Sequence, residues 1–170
     1  LAEQGVIVRM AGVGSFVAEE KPQSTLLRIA NIGEEITQRG HDHRFELISM
    51  RRESASPEVA AALNLEVGAS VFHLQGVHFE NELPVQLEDR YVNPRLVPDF
   101  MEHQIEHVVD AILPTAEQAQ WLQMEAHQPC LMLTRRTWLR GVPITWVHCV
   151  HPGMRYRLGS RFRTDLEHGG

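Results

Sequence analysis

The chain has 170 residues, 43% of them hydrophobic and 22% charged, with a formal net charge of −6. That length and balance fit one globular domain plus a short extra piece and count against a self-sufficient nucleic-acid binder. No apolar run is long enough to span a membrane and nothing resembles a secretory signal. The two cysteines, Cys130 and Cys149, are too few for a disulfide framework, so a reducing, cytoplasmic setting is expected.

The chain opens on Leu1 rather than Met, and an N-terminal portion is expected to be missing. Residues 5–18 then read as a β-hairpin. Val6, Ile7 and Val8 form one arm, Ser15, Phe16 and Val17 the other, and Gly12 and Gly14 allow the reversal. A nucleotide-binding loop would need a third glycine and a following helix, and here a strand follows. "EEKPQS" (Glu19 to Ser24) reads as a linker. In "NIGEEITQRG", Asn31 is an N-cap, Glu34 follows three residues later, and Gly40 is a stop, so a helix runs from Ile32 to about Arg39. The free N–H groups of Ile32, Gly33 and Glu34 could hold an anion or serve only in capping, and Glu34 and Glu35 oppose an anion. "FELISMRR" (Phe45 to Arg52) is strand-like.

An internal repeat follows. Residues 56–87 align with residues 115–146 at a constant offset of 59 without a gap. Six of thirty positions between Glu58 and Leu87 are identical, among them Leu63/Leu122, Leu74/Leu133 and Pro84/Pro143, where about two are expected by composition. Each copy reads as a capped short helix, a strand, a turn and a second strand. Between the copies, Ile105, Val108, Val109 and Ile112 are spaced i, i+3, i+4, i+7, which predicts an amphipathic helix from Asp99 to Leu113. The tail "MRYRLGSRFRTD" alternates like a last strand. The sum is an α+β fold: a mainly antiparallel sheet with flanking helices and pseudo-twofold symmetry, whose halves can leave a ligand cleft between them.

His103 and His107 stand at a metal-compatible helical spacing, but a polar helix face is the plainer reading, because Gln104 occupies the place where a zinc protease helix carries Glu. His148 and His151 flank Cys149 on a strand and offer the ligand types of a Cys/His metal site, against which stands the alternation of strand neighbours between faces. No catalytic nucleophile declares itself. The arginines at 135, 136, 140, 155, 157, 161 and 163 form either a solvated strand face or an anion-binding surface. In "FHLQGVHFENELPVQLEDRYVNP" (Phe72 to Pro94), Gly76 and His78 share one face, Glu88 and Arg90 share a face, and Asp89 and Tyr91 lie opposite. A mid-strand glycine implies that something packs close to the backbone.

"GVIVRMAGVGSFV" resembles the last wing of the winged helix-turn-helix domain in GntR-type bacterial regulators. "NIGEEITQRG", the two helix-hairpin units and "HPGMRYRLGSRF" resemble the UTRA effector-binding domain that follows it. "VHFENELPVQLEDRYVNP" is similar to the branch of this superfamily that represses histidine-utilisation genes. The resemblance implies a chorismate lyase-like fold and homodimerisation. It implies a wing remnant at 1–18, a linker at 19–25 and the effector domain at 26–170. It implies operator DNA as partner, through a mostly absent N-terminal domain, so this chain is expected to bind DNA poorly, with Arg9, Gly12 and Gly14 as the DNA-facing wing residues. The implied inducer is urocanate or a related imidazole carboxylate, with no cofactor or metal and no membrane partner. In sugar-phosphate-sensing relatives the helix start matching Asn31, Ile32 and Gly33 holds phosphate, helped by two arginines that correspond here to Gly76 and His78. Their loss argues against a phosphate ligand. Further effector contacts fall at Glu88, Thr145 and His151, with His78 and Tyr91 as additional candidates. The expected pose sets the carboxylate at the Asn31 helix start or against His78, and the imidazole against Glu88, Tyr91 or His151. The competing class is a lyase on the same fold acting on a small aromatic carboxylate.

Overall fold

The computed structural model describes residues 6–10, 14–18, 23–24, 31–95 and 103–159. β1 (Val6–Met10) and β2 (Gly14–Ala18) pair antiparallel, with Val6 opposite Ala18 and Met10 opposite Gly14. This is the hairpin expected from the sequence; Gly12, between the two strands in sequence, lies outside the described residues. α1 (Ile32–Gln38) starts where Asn31 accepts a hydrogen bond from the Gly33 N–H at 3.0 Å. Just past its end, Gly40 takes a φ of +78°, a left-handed conformation that favours glycine.

The remaining elements form two equivalent halves. The first is β4 (His43–Ser54), α2 (Pro57–Leu63), β5 (Ser70–Glu80) and β6 (Leu83–Val92); the second is β7 (His103–Ile112), α3 (Ala116–Trp121), β8 (Cys130–Leu139) and β9 (Val142–Pro152). They join in one six-stranded sheet of order β4-β5-β6-β9-β8-β7, antiparallel throughout. The order reads the same from both ends, so the repeat is a spatial pseudo-twofold through the β6–β9 seam.

The symmetry reaches local detail. Both hairpins turn through two residues of positive φ, Asn81 and Glu82 in one, Arg140 and Gly141 in the other, as a tight two-residue reversal requires. Both ladders shift register beside the turn, between His78 and Phe79 and between Thr137 and Trp138. Proline faces each shift: Phe79 pairs with Pro84 and Trp138 with Pro143. Proline has no N–H to donate, and the neighbouring residues, Val85 and Ile144, drop out of the pairing as the extra residues of a bulge.

The segment read as an amphipathic helix from Asp99 to Leu113 is corrected by the structure. Its described part is strand β7, paired residue by residue with β8 from His103 opposite Leu139 to Ile112 opposite Cys130. The helical spacing of Ile105, Val108, Val109 and Ile112 is coincidental. All four are β-branched and fit a pleated surface, and a free ladder on β8 outweighs a weak helical period. The predicted last strand is also shorter: β10 (Arg157–Leu158) pairs in parallel with β3 (Gln23–Ser24), and residues beyond 159 lie outside the described ones.

One sheet face is covered by α2 and α3. Val59 and Leu63 of α2 pack with Val71 and Trp146; Leu122, at the end of α3, packs with Val77, Leu87 and Val150. Burying Leu63 or Leu122 completely stabilises the fold by roughly 1.5–3 kcal/mol each. α3 carries a capping box: Gln118 N–H donates to Thr115 Oγ1 and Thr115 N–H to Gln118 Oε1. Arg155 ties this helix to the other half. Its guanidinium donates to the carbonyls of Leu122 and Gln123 at the helix end and to Pro84 at the first hairpin. The opposite sheet face meets α1, where Ile32 and Ile36 pack with Val85 and Tyr156, and Glu80 accepts from Arg39 and contacts His41.

Gly76 shows what packs against its strand. A Cβ there would fall 2.2 Å from the Phe45 ring and 2.9 Å from the Glu46 carbonyl oxygen. Gly76→Ala should therefore destabilise the fold by about 1–3 kcal/mol. Adding Phe45→Ala should return part of that loss. Denaturant melts of the single and double variants check it, and strictly additive losses would contradict the contact.

Candidate functional site

Between the open sheet face and α1 lies a cavity of about 420 Å³. The seam builds its floor. In the β5–β6–β9–β8 ladders Gly76 lies beside Glu88, Glu88 beside Cys149, and Cys149 beside Leu133, and residues side by side in neighbouring strands share a face. Both halves supply symmetry-related walls: Leu74 and Leu133, 59 residues apart, line it together. The symmetry breaks in the charges. Gly76 occupies the first half's position, and its counterpart 59 residues on is Arg135, which lines the cavity.

Glu88 is the anionic centre of the floor. It is 8% exposed. Burial pushes its carboxyl up, but hydrogen bonds from His78 and Arg90, with the Arg90 charge, outweigh that and hold it at about 2. His78 Nε2 lies 3.0 Å from one carboxylate oxygen and Arg90 Nε donates to the other at 2.6 Å. His78 Nδ1 in turn meets His43 Nε2 at 2.9 Å. Burial, then the neighbouring His78, lowers the pKa of His43. Both nitrogens of His78 are thus engaged. Arg135 differs from Arg90: the salt bridges and hydrogen bonds among the described residues leave its guanidinium without a carboxylate.

His151 closes the floor. It is 1% exposed and its ring stacks on Tyr156 with centroids 3.7 Å apart. Its Nδ1 lies 3.2 Å from the carbonyl oxygen of Val85, the residue that the bulge releases from the ladder. Burial pushes the pKa of this imidazole down to about 3. The Cys149 thiol beside Glu88 is pushed up to about 12, by burial first and then by the carboxylate, so it is an inert wall.

The sequence-predicted residues divide between places. Asn31, Ile32, His78, Glu88 and His151 line the cavity. Gly33 instead borders an adjoining open groove with Glu34, Thr37 and His43. Its lack of a side chain makes room for the His43 ring, 2.9 Å from where a Cβ would sit. Tyr91 is not in the cavity. It lies on the helix-covered face, stacked on His73 at 4.2 Å and packed near Trp146, because residue 91 is odd in a strand whose even residues face the cavity. Thr145 does not line it either; it pairs with Val92 and Thr137 farther along the seam. Arg9 and Gly14 sit in the β1–β2 hairpin. His148 packs edge-on against Trp146, on the opposite face from His151. His103 and His107 stand four residues apart on strand β7 and not on a helix, so the helical spacing that suggested a shared ion does not apply. Among the described residues no cluster of three or more His, Cys, Asp or Glu side chains is placed to hold a metal. Sequence reasoning missed Phe45, Arg90 and above all Arg135 as cavity residues; carrying the 59-residue offset from Gly76 would have found the last.

The His151 environment fixes a pH dependence. Unfolded, the imidazole takes a proton below about pH 6.5; folded, it stays neutral down to about 3. Its contribution is therefore intact above pH 6.5 and is lost as the pH falls from there toward 3. Between pH 6.5 and 5, His151→Phe should gain on the order of 1–2 kcal/mol relative to the parent chain. Denaturant melts at both pH values measure this, and a pH-independent difference would refute it.

The sequence matches the UTRA domain family over residues 38–108 and 103–157. It is 44% identical over 180 aligned positions to the histidine utilization repressor of Pseudomonas aeruginosa, covering 95% of this chain and 72% of that protein. The histidine utilization repressor of Klebsiella aerogenes is 39% identical, with 95% and 75% covered. The crystal structure of the C-terminal domain of the histidine utilization repressor from Pseudomonas syringae pv. tomato is similar at TM-score 0.67 and 38% identity, over 72% of this chain and 100% of that one. PhnF from Mycobacterium smegmatis shares the fold, at TM-score 0.79 and 21% identity over 94% of this chain and 79% of that one. The histidine utilization repressors among these relatives are named as repressors and not as enzymes, which sets the lyase alternative aside. On the sequence match, the structural likeness and the twofold sheet, the chain belongs to the UTRA-domain family of GntR-type regulators, among the histidine utilization repressors.

Proposed function

We propose that this chain is the effector-sensing part of a repressor of histidine-utilisation genes, and that urocanate, bound in the cavity between the halves, is the inducer that releases operator DNA. The observation that carries the reading is the Arg135 guanidinium, which no carboxylate pairs among the described residues, in the wall of a cavity that also holds an ionised Glu88. Such a site suits a small molecule with a carboxylate at one end and an N–H-bearing ring at the other. The names of the relatives supply the pathway.

In this reading the carboxylate pairs with Arg135, since a guanidinium recognises a carboxylate in two parallel hydrogen bonds. This pose replaces the one first expected. The Asn31 side chain already accepts from the Gly33 N–H, Glu34 and Glu35 stand in the first turn of α1, and His78 has no nitrogen to spare. One arginine in place of two also suits a single carboxylate better than a phosphate.

The output route starts at Tyr156. It lines the cavity and stacks on His151, and the next two residues pair with Gln23–Ser24, in the 19–25 stretch taken as the linker. A ligand that settles the His151–Tyr156 stack would bias that pairing, and with it the hairpin at 1–18, whose Arg9, Gly12 and Gly14 we assign to the wing. Only differential affinity for two arrangements of this route produces a response. A homodimer, which would present two wings to a symmetric operator, and a cytoplasmic location complete the proposal. Among the described residues no helix is long and apolar enough to cross a membrane.

Calorimetry tests the assignment: heat with urocanate and none with a sugar phosphate is expected, and the reverse would overturn it. Arg135→Met should weaken urocanate binding by roughly 10- to 100-fold, the worth of a charge-assisted hydrogen bond. Tyr91→Phe, on the other face, should leave affinity unchanged within about twofold.

A further inference from the structure

The cavity lining includes His151, one of whose ring nitrogens is a buried acceptor that no described residue satisfies. A carbonyl oxygen only accepts, so the 3.2 Å contact between His151 Nδ1 and the Val85 oxygen places the ring proton on Nδ1. The nearly complete burial of the ring keeps it neutral. Nε2 then carries a lone pair and no proton. It is shielded from solvent and has no hydrogen-bond partner among the described residues. The stack on Tyr156 and the bond to Val85 hold the ring by its face and its other edge, so it cannot flip about Cβ–Cγ, which would put a carbon in place of each nitrogen, without breaking the Val85 bond.

We propose that His151 is the specificity-determining residue of the effector site: an obligate acceptor that selects ligands presenting a ring N–H. The inference rests on the urocanate reading and sharpens it, because it names the ligand atom that is read. The carboxylate end is not discriminating, since any small aryl acrylate offers one to Arg135. The N–H donated to His151 Nε2 is what separates an imidazole from a furan or thiophene of the same size. Such a ligand would leave a buried lone pair facing another lone pair. A site built to hydrogen-bond one group rejects the isostere that lacks it far more strongly than an apolar wall does.

The test is competition calorimetry with urocanate and with matched pyrrole and furan acrylates, each in its 2- and 3-linked form. Pyrrole carries a ring N–H where furan carries an oxygen acceptor. In the unmutated protein the better pyrrole isomer should bind at least about tenfold more tightly than its furan counterpart. His151→Phe, which retains a ring to stack on Tyr156 but has no acceptor, should erase that preference and leave furan acrylate binding as tight as before or tighter. Urocanate binding with pyrrole and furan equal in the unmutated protein would overturn this inference alone. No binding by urocanate or either analogue would overturn the urocanate reading and this inference with it. Should His151→Phe fail to fold, the pyrrole–furan comparison in the unmutated protein still decides.

Discussion

The antiparallel seam between β6 and β9 is the constraint on which the rest depends. It runs from Leu87 opposite Val150 to Val92 opposite Thr145 and is where the two halves of the sheet join. Strand residues alternate faces, so one register sets both surfaces at once. Leu87, Tyr91, Trp146 and Val150 go to the helix-covered side, and Glu88, Arg90, Cys149 and His151 to the cavity. A slip of one residue would bury Glu88 and Arg90 under α2 and α3 and expose the core. The hairpin bulges and the Arg155 bonds that join both halves hold that register.

Twofold symmetry alone would give a cavity with matched walls and no direction. The sequence breaks the match at a few positions. Gly76 faces Phe45 where its counterpart Arg135 offers a cation; Arg90 neutralises Glu88 where its counterpart Cys149 stays uncharged. The result is a polar axis across the floor, with a guanidinium toward the second half that no described carboxylate pairs and a paired carboxylate in the first. Low dielectric strengthens such an axis and makes every unsatisfied group in it costly. That is why Arg135 and His151 carry so much of the functional reading, although neither carries a striking local sequence motif.

Much of the architecture was legible because it is locally encoded. Asn31, Ser56 and Thr115 cap their helices as their side chains suggest, and the turns at Asn81 and Gly141 stand where the repeat put them. The β7 segment was misread because its apolar spacing satisfies a helical period while its pairing partner is distant in sequence. The repeat held the remedy. Shifting Phe45–Arg52 by 59 residues lands on 104–111, inside β7. The cavity was less legible. Glu88, His78 and His151 could be singled out as polar groups in strands, but the alternation that excludes Tyr91 from the cavity becomes decisive only once the covered face is known. Phe45 and Arg135 enter from strands on either side of the seam, and the parallel contact of Arg157–Leu158 with Gln23–Ser24 joins stretches more than a hundred residues apart. Such contacts are properties of the assembled sheet.

The central claim is that the cavity at the seam binds urocanate with its carboxylate on Arg135. A crystal structure of the protein with urocanate tests it most directly. The account predicts the ligand between the halves, its carboxylate within hydrogen-bonding distance of the Arg135 guanidinium and its ring toward Glu88 and His151. A carboxylate seated at the Asn31 end of α1, or a ligand bound outside this cavity, would contradict it.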